Sequence, residues 1–100
     1  MKSIKGVLFL ILVASTLGTT YGQKHKEYYA DGTLKELGKF KKEIPVGKWE
    51  YYYQNGELLA AGKYKNGEKV GIWNYYHETK GLMETGNFVE GNKEGEWIAY

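Results

Sequence analysis

The sequence predicts an all-β fold: an antiparallel meander of about seven strands, built from stacked β-hairpins that form an extended ribbon rather than a closed barrel. Trp49, Trp73 and Trp97 lie 24 residues apart. Aromatic-rich segments alternate with Gly- and Asn-rich turn signals after residue 22, and no stretch there has helical periodicity. A glycine precedes each tryptophan by two residues: Gly47, Gly71 and Gly95. This spacing predicts a 24-residue hairpin repeat over residues 23–100.

The first 22 residues predict a helical secretory signal peptide. Met1–Lys5 is a short basic start, Gly6–Ala14 is apolar, and Thr20 and Gly22 are the small residues expected before a cleavage site. The apolar run is about nine residues, well below the ~20 that span a bilayer. We therefore expect cleavage near Gly22 and a protein that is secreted, periplasmic or at the cell surface. An uncleaved membrane anchor is the alternative.

Composition excludes several classes of function. The chain has 14 Lys, no Arg and 12 acidic residues, and loss of Lys2 and Lys5 with the signal peptide leaves a neutral mature chain. Base readout and bidentate phosphate contacts rely on Arg, so we expect no nucleic-acid partner. The absence of Cys excludes disulfides and an N-terminal lipid-modified Cys.

The second hairpin has the most complete pattern. Val46–Tyr53 and Glu57–Lys65 flank Asn55-Gly56, a strong two-residue turn signal. A two-residue turn places Trp49 opposite Gly62, Tyr51 opposite Ala60 and Tyr53 opposite Leu58, with the Trp49 indole covering Gly62.

The other hairpins depart from this pattern in a few places. In the first, Asp31-Gly32 is the turn and His25 replaces the tryptophan, opposite Gly38. In the third, the turn glycine is shifted to Gly81, which predicts a longer loop. The fourth is truncated after Tyr100, and Pro45 is expected in a connecting loop. The positions expected to be structural are Gly47, Trp49, Gly56, Gly62, Gly71, Trp73, Gly86, Gly95 and Trp97.

Strand alternation assigns the side chains to two faces. The core face would carry the tryptophans together with Tyr51, Tyr53 and Leu58, whereas Leu59 would lie on the opposite face. That opposite face would also carry four tyrosines spaced 24 residues apart, Tyr28, Tyr52, Tyr76 and Tyr100. These tyrosines either satisfy strand propensity and shield the sheet, or form a candidate ligand-binding stripe with rings about 10 Å apart.

No catalytic, cofactor or metal site is predicted. His25 and His77 have neither metal-ligand nor triad spacing; we expect His77 to pack in the core and His25 to be exposed. Glu36 and Glu84 would lie ~20 Å apart, too far for a pair of catalytic carboxylates. We therefore expect a protein that is not an enzyme.

The pattern Gly-x-Trp-x-Tyr-Tyr, Asn-Gly-x-Leu and Gly-x-Tyr-x-Asn-Gly, complete over residues 47–67, resembles the MORN-repeat variant family. The resemblance covers about residues 26–100. It implies hairpin repeats in an extended sheet, with roles in protein interaction or membrane-lipid attachment. Bacterial members are often described as the antitoxin component of a toxin–antitoxin pair. The chain departs from the pattern at His25, which replaces Trp, and at Glu43 and Lys80, which replace Gly.

The expected function is an exported, non-enzymatic repeat module that binds another protein or a cell-envelope component. The last strand, Trp97–Tyr100, would leave an open sheet edge that favours strand addition or self-association. One alternative is a surface glycan-binding module that uses the tyrosine ladder, and another is an antitoxin.

Overall fold

A computed structural model describes residues 22–100, which form a single antiparallel β-sheet without a helix. The predicted signal peptide lies outside the described residues, apart from Gly22. The prediction of an all-β sheet of antiparallel hairpins is confirmed. The eight strands are β1 (Gln23–Tyr28), β2 (Leu34–Lys41), β3 (Ile44–Pro45), β4 (Gly47–Tyr52), β5 (Leu58–Lys65), β6 (Glu68–Tyr76), β7 (Leu82–Val89) and β8 (Asn92–Ala99).

Strand order follows chain order. The sheet runs β1-β2-β4-β5-β6-β7-β8, and the short β3 also pairs with β2. β3 and β4 together correspond to β6 of the next hairpin, which is one continuous strand. This division gives the described sheet eight strands, where the sequence predicted about seven. Pro45 was expected in a loop, but it lies in β3 opposite Phe40. A proline is tolerated there because the neighbouring Val46 N–H donates to the Lys39 carbonyl of β2 at 3.0 Å, so strand alternation directs the nitrogen of Pro45 away from β2. The Pro45 carbonyl accepts from the Gly67 N–H at 3.1 Å.

Two-residue turns connect the hairpins at one end of the strands. In each turn both central residues have positive φ, which is the type I′ geometry that matches the twist of paired strands. The φ values are 52° and 66° at Lys42-Glu43, 52° and 85° at Asn66-Gly67, and 50° and 84° at Glu90-Gly91.

Three-residue loops close the hairpins at the other end, so the predicted two-residue turn at Asn55-Gly56 was wrong. The Gly56 N–H donates to the Tyr53 carbonyl at 3.0 Å, and the Tyr53 N–H donates to the Glu57 carbonyl at 2.8 Å. Of the loop residues Gln54, Asn55 and Gly56, only Gly56 has positive φ, at 92°. This is a type I turn followed by a left-handed glycine.

The third hairpin has a loop of the same length, so the expected longer loop was also wrong. The Lys80 N–H donates to the His77 carbonyl at 3.1 Å, and the His77 N–H donates to the Gly81 carbonyl at 3.0 Å. Lys80 therefore occupies the position of Gly56, with φ 78°. The glycine is shifted in sequence, while the backbone path is unchanged.

The predicted register holds in the middle of the second hairpin and fails near its loop. Trp49 lies opposite Gly62 and Tyr51 opposite Ala60, but Tyr52, not Tyr53, lies opposite Leu58. A bulge accounts for the shift of one residue. Leu59 consequently packs against the core, and Leu58 lines a groove on the opposite face. The sequence assignment of these two leucines was therefore reversed.

The core is a continuous row of aromatic rings on one face of the sheet. Trp73 is fully buried and Trp49 is 2 % exposed; Ala60 and Phe88 are also buried. Each ring packs edge-on or tilted against rings of the neighbouring strands. Tyr64, for example, is edge-on to Trp49 and to Trp73, at centroid distances of 5.7 and 5.2 Å.

Each tryptophan covers a glycine of the preceding hairpin, not of its own. A Cβ placed on Gly62 would collide with the indole of Trp73, and the same relation joins Gly38 to Trp49 and Gly86 to Trp97. The expected cover of Gly62 by Trp49 was therefore wrong. The Trp73 Nε1–H also crosses this boundary and donates to the Lys63 carbonyl at 3.0 Å.

A bulge before each tryptophan positions the indole. Between β5 and β6, Ala61 pairs with Asn74 and the next pair is Lys63 with Val70, so three residues of β6 face Gly62 alone. Gly71 lies in this bulge with φ 72°, and Gly47 and Gly95 have the same conformation. Glycine is required there because a left-handed residue re-aims the strand.

Candidate functional site

The tyrosine ladder is exposed only at its ends. Tyr28 is 54 % and Tyr100 is 68 % exposed, whereas Tyr52 and Tyr76 are half-buried. The Tyr52 hydroxyl donates to Glu50 Oε1 at 2.9 Å. Partial burial and this bond to the carboxylate raise the Tyr52 pKa above its ordinary value. Tyr52 is therefore tied to Glu50 by its hydroxyl, and Tyr76 lines the groove that contains Glu50.

An open groove of about 640 Å³ crosses the outer face between β4 and β6. Its lining mixes an aromatic ring, aliphatic side chains and polar groups: Tyr76, Asn74, Ile72, Glu50 and Lys63. A surface with both ring faces and hydrogen-bonding groups can hold an elongated polar ligand.

The expectation that His25 is exposed was wrong, because β1 places its ring at the end of the aromatic row. Its ring packs edge-on against Phe40 at 4.9 Å and tilted against Trp49 at 5.3 Å between centroids. Its Nε2 lies 3.1 Å from Glu36 Oε1 and 3.8 Å from Glu27 Oε1. His25 occupies the position that tryptophan has in the later hairpins, and Glu27 stands where the later hairpins have Tyr51 and Tyr75.

His25, Glu27 and Glu36 are the residues best placed to hold a metal ion among residues 22–100. Their ligand atoms lie within 4.8 Å of one another. Sequence spacing missed this cluster because Glu36 reaches it only through β1–β2 pairing, which places Glu27 directly opposite Glu36. A hydrogen bond between His25 and Glu36 accounts for the shortest of these contacts without a metal ion.

His77 is exposed, which corrects the expectation of a packed ring. The equivalent Tyr53 sends its hydroxyl to the Tyr76 carbonyl of the next hairpin at 2.6 Å, and Tyr29 reaches the Tyr52 carbonyl in the same way at 2.6 Å. An imidazole is shorter than a phenol, so His77 lacks the reach for this bridge.

β8 forms one edge of the described sheet. β8 ends the strand order, and β7 is its neighbour within the described sheet. Every β8 side chain except Trp97 is exposed, including Ile98 at 46 %. The Tyr100 N–H donates inward to the Met83 carbonyl at 2.8 Å, so strand alternation directs the Ala99 N–H away from β7.

Trp97 has half of the aromatic neighbours of the inner tryptophans. Trp73 contacts four rings, those of Tyr51, Tyr64, Tyr75 and Phe88. Within residues 22–100, Trp97 contacts the rings of Tyr75 at 6.3 Å and Phe88 at 5.0 Å, together with the Lys93 ammonium at 4.4 Å. It is half-buried where Trp73 is fully buried. One side of this indole is therefore open.

Comparison with protein-family models, curated proteins and solved structures finds no match to this chain. The part of the chain that the structure describes also contains no helix with the length and hydropathy to cross a membrane.

Proposed function

We propose that this chain is an exported, non-enzymatic interaction module that binds another protein by strand addition at β8. The observation that carries this proposal is the edge itself. β8 has backbone groups that point away from β7, next to the open side of Trp97. An added strand would form hydrogen bonds with these groups and cover the open side of the indole.

The two edges of the described sheet differ in where their charged side chains lie. β1 carries Lys24, Lys26 and Glu27, and charged side chains on an edge strand oppose pairing with another chain. The second half of β8 and the residue after it, Trp97 to Tyr100, have uncharged side chains. The first part of β8 carries three charged side chains, Lys93, Glu94 and Glu96, so strand addition is least opposed along residues 97–100.

The Ala99→Pro variant tests this proposal. Proline removes the outward Ala99 N–H, while the inward bond from Tyr100 to Met83 stays possible. We expect a partner from the envelope or extracellular fraction of the producing cells to co-purify with the unmodified protein and to be lost with Ala99→Pro. Urea denaturation should show unchanged stability of the variant. Equal capture by both proteins, or capture by neither, would overturn the proposal.

A second candidate function is glycan binding on the outer face, favoured by the groove that contains Tyr76. Binding of cell-envelope polysaccharide should fall when Tyr76, which lines the groove, and Tyr52, which bonds the lining residue Glu50, are changed to Ser. Tyr28→Ser, at an exposed ring away from the groove, is the control. Absence of polysaccharide binding by the unmodified protein would exclude this function.

We also infer that the hairpins are 24-residue repeats of the MORN-repeat variant type. Three equivalent contacts support this, Gly38–Trp49, Gly62–Trp73 and Gly86–Trp97. Export through the N-terminal segment stays a prediction, as does the antitoxin role that the resemblance implies. N-terminal sequencing of the protein from its own cells tests export, since cleavage near Gly22 would make Gln23 the first residue.

A further inference from the structure

We propose that the outer face binds an acidic polysaccharide, whose carboxylates pair with a row of lysines that runs from β1 to β5. This inference rests on the second candidate function, glycan binding, and deepens it, because it names the chemical class of the glycan and extends the site toward β1. It does not depend on strand addition at β8.

The groove on the outer face is repeated in the preceding hairpin. A second open groove, of about 370 Å³, lies between β1 and β4. Each of its eight lining residues lies 24 positions before a residue that lines the larger groove. Lys48 and Glu50 line both grooves, so the two share a wall on β4. Together the grooves cross β1, β2, β4, β5 and β6, a span of about 19 Å over four strand spacings.

The β1 end of this double groove is basic. Four lysines line the smaller groove, Lys24, Lys26, Lys39 and Lys48, together with one acidic residue, Glu50. The Glu50 carboxylate already accepts a hydrogen bond from the Tyr52 hydroxyl at 2.9 Å and lies 3.7 Å from the Lys48 ammonium. The other three lysines are exposed and form no ion pair within residues 22–100. Their unneutralised charge attracts an anion to this end of the outer face.

Two pairs of lysines face each other directly across neighbouring strands of the double groove. Lys24 lies opposite Lys39 in the first hairpin, and Lys48 lies opposite Lys63 in the second. Like charges in directly opposite positions destabilise a sheet, because their Cβ atoms are only about 5 Å apart. A bound polyanion offsets this repulsion at both pairs.

The fold itself does not require these lysines. The third hairpin has the neutral pair Ile72 and Asn87 at the same position. Lysines on an edge strand can protect a sheet against aggregation, but Lys39, Lys48 and Lys63 lie on inner strands. Neither strand pairing nor edge protection therefore accounts for the repeated lysine pairs, whereas an anionic ligand does.

The rest of the double groove favours a sugar chain over the other polyanions. Tyr76 and Asn74 line its β6 end, and a ring face beside an amide suits a sugar ring. The chain has no Arg, the side chain that binds phosphate in a bidentate manner, whereas lysine acts as a point charge that carboxylates can pair with. A groove also fits one extended chain better than a flat lipid surface. The occupant is therefore a linear glycan that carries carboxylates.

Matched oligosaccharides test the inference with the purified protein. The probe is fluorescently labelled hexagalacturonate, and the control is the same oligosaccharide with its carboxylates methyl-esterified. Fluorescence anisotropy should show the acid binding about tenfold more tightly at low salt. About 0.5 M NaCl should remove most of this difference, because exposed charges are screened. NMR shifts should locate the acid at the Lys48 and Lys63 amides and not at the Trp97 indole.

The third hairpin supplies a variant that separates binding from folding. Lys48→Ile combined with Lys63→Asn installs the pair found at residues 72 and 87. It should weaken binding of the acid about tenfold, while the free energy of unfolding stays unchanged or rises. The matched control, Lys42→Asn combined with Lys80→Asn, removes the same charge from two turns outside the grooves. Asparagine accepts the positive φ of both positions, 52° and 78°, so binding should change less than about twofold.

Several outcomes would overturn the inference: equal binding of the two oligosaccharides, no binding of either, or equal loss in the two double variants. Tighter binding to duplex DNA or to phosphatidylglycerol vesicles than to hexagalacturonate would identify another polyanion and would also overturn it. Ala99→Pro should leave binding of the acid unchanged, and a loss would move the site to β8 and reject the inference. Binding of cell-envelope polysaccharide that survives Lys48→Ile with Lys63→Asn would reject the inference and leave the second candidate function standing. Absence of all polysaccharide binding would reject both.

Discussion

Gly62→Ala is the substitution that most directly tests how the sheet is held together. The φ of Gly62 lies outside the left-handed range, so the backbone accepts an alanine. The atoms nearest to the added Cβ belong to the Trp73 indole, and the contact is too close for both to stay in place. Any loss of stability therefore reports the contact between hairpins.

The expected loss of unfolding free energy is about 3 kcal/mol. Overpacking a tight core costs about 1–3 kcal/mol. Trp73 is fully buried between Tyr64 and Phe88, so it has little room to move. Its displacement also weakens the bond to the Lys63 carbonyl, about 1 kcal/mol. The lower entropy of an unfolded chain with alanine offsets about 0.4–1 kcal/mol.

Urea denaturation followed by circular dichroism measures the loss, with Gly86→Ala as the matched control. The Trp97 indole over Gly86 is half-buried on the edge strand, where it can shift, so we expect about half the cost. A double-mutant cycle should show coupling of Gly62→Ala with Trp73→Phe that exceeds its coupling with Trp49→Phe. A loss below about 0.5 kcal/mol, or stronger coupling to Trp49, would refute the assignment of each tryptophan to the preceding glycine.

Three further predictions concern backbone strain, buried hydroxyls and pH. Glu43 has φ 66° at the position where Gly67 and Gly91 stand. Glu43→Gly should therefore raise the free energy of unfolding by about 1 kcal/mol, and Gly91→Ala should lower it by a similar amount. Thermal denaturation measures both changes, and a melting temperature lowered by Glu43→Gly would contradict the reasoning. Tyr53→Phe removes the 2.6 Å hydrogen bond to the Tyr76 carbonyl and should lower the free energy of unfolding, measured in urea, by about 1–2 kcal/mol. Tyr28→Phe, at an exposed ring, should leave it almost unchanged. Equal effects would show that the hydrogen bond between hairpins contributes little. Burial first, and then the 2.9 Å bond to the Tyr64 hydroxyl, raise the Tyr51 pKa above its ordinary value of 10.0. A raised acid pKa gives stability that is complete below pH 10 and is lost as the pH rises further, so Tyr51→Phe should flatten the alkaline fall in stability; an unchanged pH profile would contradict this cause.

Local pairing was the part of the fold that could be predicted from sequence. Trp49 opposite Gly62 and His25 opposite Gly38 were predicted, and both pairs are present. The predicted turn was one residue too short, but the bulge near each loop offsets the extra loop residue. These contacts need only one hairpin, whose register is set within about a dozen residues. The bulge that reverses Leu58 and Leu59 could not be predicted, because a bulge adds no distinct residue type there.

The candidate site was predicted less well. The sequence identified the open edge at Trp97–Tyr100, but not the outward direction of the Ala99 N–H, which depends on pairing with β7. It assigned His25 to solvent because the residue lies near the predicted mature N-terminus, whereas β1–β2 pairing places its ring beside Phe40 and Trp49. Lys80 was a related case, since a lysine does not by itself signal the left-handed φ that the loop imposes.

The amino-acid pattern alone determined that the chain after residue 22 forms antiparallel hairpins, because period-two alternation and turn residues act over short distances. Only the tertiary structure decided which glycine each tryptophan covers. Gly62 lies opposite Trp49 in its own hairpin, yet the Trp73 indole crosses from the next one to rest on it. That contact depends on the bulge at Gly71 and on stacking of neighbouring hairpins, which no single hairpin sequence encodes. The same stacking leaves Trp97, with β8 at the end of the strand order, as the incompletely covered ring.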